Sequence, residues 1–242
     1  MNRKQYIFKN SEETARAVAE VIKEKAVLFN SESRKFNIAL SGGSTPKQLF
    51  QLLADEYENE IPWSAVRFFW VDERCVKPTD AESNYGVTYD TLLKRGFIPE
   101  QNIFRMKGEE NPTDEALRYS KLLTNELPTR DKFPVFDLVL LGIGDDGHTA
   151  SIFPFNIDLL NSEQPVEVSQ HPMSGQNRIT LTGKTICNAD KIIFMAVGEG
   201  KRKILKEIIN QKPVAQNYPA SFIKNRVAEV EFYIDESAAK DL

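Results

Sequence analysis

An apolar run from Phe136 to Leu141 stops at Gly142, and glycines at 142, 144 and 147 then alternate with Asp145, Asp146, His148 and Thr149. A continuous apolar run bounded by turn residues reads as a strand buried on both faces. A glycine-rich turn at the carboxyl end of such a strand is where open α/β sheets build their sites. This one stretch therefore constrains the fold to a layered α/β architecture and marks where its chemistry belongs.

The same succession recurs along the chain. F-N-I-A-L (36–40) runs into S-G-G-S-T-P (41–46), V-R-F-F-W-V (66–71) into D-E-R (72–74), and K-I-I-F-M-A-V (191–197) into G-E-G-K (198–201). Helical periodicity lies between these strands. Ala15, Val18, Ile22, Ala26 and Phe29 form one stripe over 11–29, with Asn10 and Glu13 as a capping pair. Further helices are expected after Pro46 and over 84–95, 113–126 and 201–211. N-R-I-T-L-T (177–182) and V-A-E-V-E-F-Y-I (227–234) alternate as strands, the last at an edge. Residues 156–177 read as a polar loop. Strand, glycine turn and helix in repetition predict a mainly parallel, doubly wound sheet with helices on both faces. Without a Pro/Gly/Ser linker, residues 1–242 read as a single domain. Four strand ends, 41–46, 72–74, 142–149 and 198–201, meet only if their strands are parallel neighbours.

Composition narrows the function. The 242 residues carry 31 basic and 35 acidic side chains, a net charge of −4, which points to no nucleic-acid or anionic-membrane partner. The first residues, M-N-R-K-Q-Y-I-F-K-N, contain no apolar core for a signal peptide, and no run approaches a membrane span. Cys75 and Cys187 have no metal-ligand spacing and suit a reducing, cytoplasmic setting. Neither a metal nor a redox cofactor is implied, and a monomer or small homo-oligomer is expected.

His148 is one of two histidines. It stands two residues from Asp146 in a turn that lets both side chains converge, and neutral imidazole is suited to proton transfer near pH 7. In S-G-G-S-T-P, Gly42 and Gly43 leave backbone amides uncovered, Thr45 is placed to cap a helix and Pro46 to begin it. A glycine turn opening a helix directs free N–H groups and the positive dipole end at one spot, a site for phosphate or carboxylate. The Gly-Lys-Ser/Thr ending of a Walker loop is missing. Asp72 and Arg74 share side-chain parity and are expected to face the site together, with Glu73 left out. Ser83 is placed to cap the next helix; Asn84 is as well suited to a turn as to the site. His171 has no neighbouring carboxylate, cysteine or histidine in sequence and reads as a solvated loop residue. Arg178 opens a strand and Lys201 a helix. By themselves they read equally as surface residues.

The motif G-x-G-x-D-G-H-T-A-S-x-F-P, at residues 142–154, resembles the signature of the 6-phosphogluconolactonases, grouped with the glucosamine-6-phosphate isomerases. The isomerases continue I-A-F-N-E-P with a catalytic Glu, where this chain has Phe153. They also carry D-E-Y where this chain has D-E-R. Both departures favour the lactonase branch, because Phe cannot move a proton. The resemblance implies a glucosamine-6-phosphate isomerase-like fold and a phosphorylated sugar lactone as substrate. It also implies that Ser41, Gly42, Gly43, Ser44, Thr45, Arg178 and Lys201 hold the phosphate. The expected reaction is hydrolysis of 6-phosphoglucono-1,5-lactone. His148, oriented by Asp146, activates water, Arg74 or turn amides stabilise the oxyanion, and Asp72 stands as a further candidate for the chemistry. Rival readings are an amino-sugar-phosphate isomerase and a sugar-phosphate-binding regulator without catalysis.

Overall fold

The computed structural model describes residues 2–226 and 229–242. Twelve strands are present among them: β1 (Asn2–Phe8), β2 (Phe36–Leu40), β3 (Val66–Trp70), β4 (Asp72–Arg74), β5 (Ile103–Phe104), β6 (Thr129–Arg130), β7 (Phe133–Pro134), β8 (Leu138–Leu141), β9 (Val166–Gln170), β10 (Asn177–Leu181), β11 (Ile192–Ala196) and β12 (Glu229–Asp235). The helices are α1 (Ser11–Ser31), α2 (Ser44–Glu56), α3 (Asn84–Thr91), α4 (Pro112–Glu126), α5 (Gly183–Cys187), α6 (Arg202–Ile209), α7 (Pro219–Arg226) and α8 (Glu236–Ala239). No helix among the described residues is long and apolar enough to cross a membrane.

Seven strands form one parallel sheet in the order β1-β12-β11-β8-β2-β3-β5. Each central strand alternates its side chains between two cores. Ile38, Leu40, Phe68, Trp70, Leu138, Leu140 and Ile193 face the layer that contains α1 and α2. Ala39, Phe69, Val139, Leu141, Ile192 and Phe194 face the other layer, packed against α4 and α6. Burial on both faces explains why these strands read as unbroken apolar runs. The chain moves outward from β2 through β3 to β5, then returns to β8 on the far side of β2. The sheet thus switches direction between β2 and β8. The two strands are tied at their amino ends, where buried Asp137 accepts hydrogen bonds from the backbone and side-chain nitrogens of Asn37 at 2.7 and 3.0 Å. Burial pushes the Asp137 carboxyl above its usual value, against the bonds from Asn37.

The α1 expectation holds, including the cap: Asn10 accepts from the Glu13 amide at 2.9 Å and the predicted stripe is buried. Elsewhere the structure corrects the reading. α2 begins at Ser44 with Gly43 at the cap position, so Thr45 is not the cap and Pro46 is not the first helical residue. The helices expected over 84–95 and 201–211 each include a 3₁₀ turn, Leu93–Arg95 after α3 and Glu199–Lys201 before α6. Residues 156–177 are not all loop, because β9 lies within them and pairs antiparallel with β10. β4, β10 and β9 form a separate three-stranded sheet. β1 was not foreseen; it takes the edge beside β12, which is interior. The first residues of the 227–234 strand lie outside the described residues.

Phe194 is fully buried at the sheet centre and stacks on Phe232 with centroids 5.1 Å apart. Phe194→Ala is expected to cost about 3–5 kcal/mol, lowering the thermal midpoint by roughly 6–20 °C in a calorimetric scan.

Candidate active site

The strands β11, β8, β2 and β3 are consecutive neighbours, so the turns that leave their carboxyl ends share one rim. They enclose a cavity of about 350 Å³ at the β2/β8 switch point. Its lining includes Ser41, Gly42, Gly43, Thr45, Asp72, Arg74, His148, Arg178 and Lys201. The four strand ends anticipated from sequence do meet. Asp146 does not line the cavity and stands behind His148. Ser44 opens α2, and its side chain lies outside the described residues.

The turn after β2 depends on close approach. A Cβ on Gly42 would lie 1.8 Å from Asn84 Oδ1, so a larger residue would displace Asn84. Gly43 has φ +106°, a left-handed conformation that other residues rarely adopt. No side chain caps α2. Its first amides therefore remain as donors for an anion.

The turn after β8 closes on itself. Gly144 N donates to the His148 carbonyl at 2.9 Å, and Thr149 Oγ1 donates to the Gly142 carbonyl at 2.9 Å. His148 Nδ1 lies 2.6 Å from Asp146 Oδ1, which also accepts from the His148 amide at 3.1 Å. A contact that short to a carboxylate assigns the Nδ1 proton to the imidazole, leaving the Nε2 lone pair as the free acceptor. Partial burial works to raise the Asp146 carboxyl, but the His148 side-chain and backbone hydrogen bonds prevail and hold it below the usual carboxylate range.

β4 joins the two halves of the site. Asp72 Oδ2 accepts from Ser151 Oγ at 2.6 Å and Oδ1 from Asn84 Nδ2 at 3.2 Å. Asn84 is thus a site residue, while Ser83 fills the capping role by accepting from Gly86 N at 2.9 Å. Glu73 is buried rather than solvated. It accepts from the backbone amides of Arg74, Asn84 and Tyr85 and from Ser83 Oγ, tying the start of α3 to β4. Burial raises its carboxyl in spite of those bonds.

Arg74 and Arg178 are register partners across β4 and β10. Like charges set opposite each other repel. Burial, then Arg74, lowers the Arg178 guanidinium from its ordinary value. Both Nε–H groups are buried without an acceptor among the described residues. Unpaired donors and paired cations are a cost to the fold that an anionic ligand would offset. Lys201 Nζ donates to Asp145 Oδ1 at 2.6 Å across the cavity mouth.

Ser151 and His171 are among the lining residues that were not anticipated as site residues. Ser151 is held by Asp72, and its amide donates to Thr180 Oγ1 at 3.2 Å. His171, set aside as a solvated loop residue, reaches the cavity because the β9–β10 hairpin folds over it. The alternation of V-E-V-S-Q before the turn residues P-M-S-G would have signalled that hairpin. The buried Phe153 ring stands between the two imidazoles, 4.8 Å from His148 and 5.4 Å from His171. No group of three or more His, Cys, Asp or Glu among the described residues is placed to hold a metal ion.

The sequence matches the glucosamine-6-phosphate isomerases/6-phosphogluconolactonase family over residues 9–232. The chain belongs to this family. The 6-phosphogluconolactonase of Haemophilus influenzae is 40% identical over 230 residues, covering 94% of this chain and 96% of that protein. The human 6-phosphogluconolactonase is 34% identical over 238 residues, covering 97% of this chain and 92% of that protein. The solved structure of 6-phosphogluconolactonase from Trypanosoma brucei matches with a TM-score of 0.88 at 30% identity, covering 100% of this chain and 99% of that one.

A Cβ on Gly144 would sit 2.1 Å from His148 Nδ1. Gly144→Ala is therefore expected to displace the imidazole from Asp146. Because the His148 bonds hold the Asp146 carboxyl down, its titration should move up toward the ordinary value, as read by carboxyl carbon NMR. An unmoved Asp146 titration would show that the ring had kept its place.

Proposed function

We propose that this chain hydrolyses 6-phospho-D-glucono-1,5-lactone to 6-phospho-D-gluconate in one α/β domain spanning residues 1–242, with His148 as general base and without a metal. The observation that carries the reading is an imidazole held through Nδ1 by a carboxylate, in a cavity whose lining includes two arginines, a lysine and an uncapped helix start. Such a cavity suits an anionic substrate whose reaction needs a proton acceptor.

The phosphate lies against the α2 amides, Arg178 and Lys201, with Ser41, Gly42, Gly43, Ser44 and Thr45 forming the turn around it. This fixes the lactone carbonyl near His148. The Nε2 lone pair takes a proton from water, and the oxygen adds to the carbonyl carbon. Arg74 or a turn amide stabilises the oxyanion, an interaction typically worth about 3–4 kcal/mol. The tetrahedral adduct collapses with cleavage of the bond to the ring oxygen, which receives the proton from His148. Asp146 holds the ring in the reactive tautomer and favours the imidazolium. Asp72 serves as an acceptor that positions Asn84 and Ser151, since both of its oxygens already have donors. Phe153 occupies the place of the isomerases' catalytic Glu and offers no group for proton transfer, which disfavours the isomerase reading.

Turnover of the phosphorylated lactone, corrected for spontaneous hydrolysis, is the direct test. His148→Ala is expected to lower kcat by roughly 10²–10⁴ with the thermal midpoint retained, and His148→Gln should be nearly as slow. Wild-type kcat should grow with the fraction of neutral imidazole as pH rises. A folded His148→Ala protein with near-normal kcat would leave a carboxylate as the base.

Arg178→Ala is expected to raise KM much more than it lowers kcat, because phosphate contacts act equally in ground and transition states. Non-phosphorylated gluconolactone should be a poor substrate of the wild type. Equal turnover of the two lactones would contradict the phosphate assignment.

A further inference from the structure

His171 follows directly on β9, where its amide donates to the Gln176 carbonyl at 2.9 Å and its carbonyl accepts from Gly175 N at 2.9 Å. The hairpin tip is anchored on both sides. Gln170 Nε2 donates to the Gly175 carbonyl at 2.9 Å, and Gln176 Nε2 donates to Glu82 Oε2 at 2.8 Å. The imidazole is equally fixed. Its Nδ1 accepts from the Met173 and Ser174 amides, both at 3.3 Å, and lies 3.2 Å from Ser174 Oγ. The edge contact with buried Phe153 sets the ring plane. An Nδ1 that accepts from two amides carries no proton, so the proton of the neutral ring is on Nε2. Nε2 has no partner among the described residues, and the side chain lines the cavity.

We infer that His171 is a substrate-binding residue, a neutral imidazole that donates its Nε2–H to an oxygen of the bound sugar phosphate; this rests on the lactonase reading above. Its neighbours keep it in that form. Arg178 on β10, His148 after β8 and Arg74 on β4 oppose a further positive charge, against Asp146, which favours one. Burial, then Arg178, holds the imidazole below the ordinary histidine value. Protonation would also break both amide bonds to Nδ1. His171 therefore supplies a directional donor where Arg74 and Arg178 supply charge.

The alternative is that His171 only caps the hairpin turn, and two substitutions separate the roles. Asn places its Oδ1 near the position of Nδ1, so His171→Asn keeps an acceptor for the turn amides but removes the distal donor. Gln places its amide near Nε2. Steady-state kinetics on 6-phosphogluconolactone should show KM raised about 5-fold in His171→Asn, the effect of one neutral hydrogen bond, with kcat within about two-fold and the thermal midpoint unchanged. His171→Gln should recover most of that loss. The KM ratio of variant to wild type should stay level between roughly pH 7 and 8.5, above the ordinary histidine range, as a neutral donor requires. A wild-type KM in His171→Asn, a loss confined to kcat, or a Gln variant no better than Asn would overturn the assignment. If the wild type does not turn over the lactone, it is the functional reading that fails.

Discussion

In a parallel sheet every strand points its carboxyl end to the same rim, and a change in winding direction opens a gap between the two strands where it happens. Here those strands are β2 and β8: α2, which follows β2, packs in the layer of α1, and α5, which follows β8, packs in the opposite layer. Everything polar in the cavity depends on this pairing. Asp137 and Asn37 secure it from the opposite rim, with a buried carboxylate that bonds both nitrogens of one residue. The apolar alternation then carries the register upward through Ile38, Leu40, Leu138 and Leu140 to the turns.

The walls of the cavity are held by a second device. β4 continues past β3 and leaves the main sheet to pair with β10. Its three side chains divide the work: Asp72 holds Asn84 and Ser151, Glu73 anchors the beginning of α3, and Arg74 faces Arg178. Two buried carboxylates satisfied by neutral donors thus lie beside two guanidiniums with unpaired Nε–H groups. The arrangement is rigid where it is negative and unsatisfied where it is positive. That asymmetry leaves the site with unsatisfied positive donors although the whole chain has a net charge of −4.

Much of this was legible in the sequence because the relevant signals are local. Strands buried on both faces are written as unbroken apolar runs, and the glycines after them mark the rim. β1 was missed because N-R-K-Q-Y-I-F is an edge strand, and its polar content masks the pattern. The cap of α2 was misplaced because Thr45 has the right chemistry, whereas the backbone conformation of Gly43 decides the start. Glu73 was left out, since nothing local shows that three amides and a hydroxyl converge on it. His171 was set aside for the same reason. Its neighbours in the fold, Phe153 and Arg178, are brought to it by a hairpin whose first strand was read as loop. Spatial convergence across a turn is the information that a linear pattern lacks.

The ion pair between Lys201 and Asp145 gives the empty cavity its own resident anion. Asp145 is largely exposed and belongs to the same turn as His148, while Lys201 is partly buried just before α6. If Lys201 holds the substrate phosphate as proposed, the phosphate must exchange places with this carboxylate, which is already largely in water. The exchange also runs in reverse. A tethered competitor with a high local concentration stands ready to reclaim the lysine as soon as the ligand loosens. On the proposed function, a site built this way would trade tightness for turnover. In the proposed reaction, the loop that carries His148 would therefore also set how readily the charged end of the product is let go.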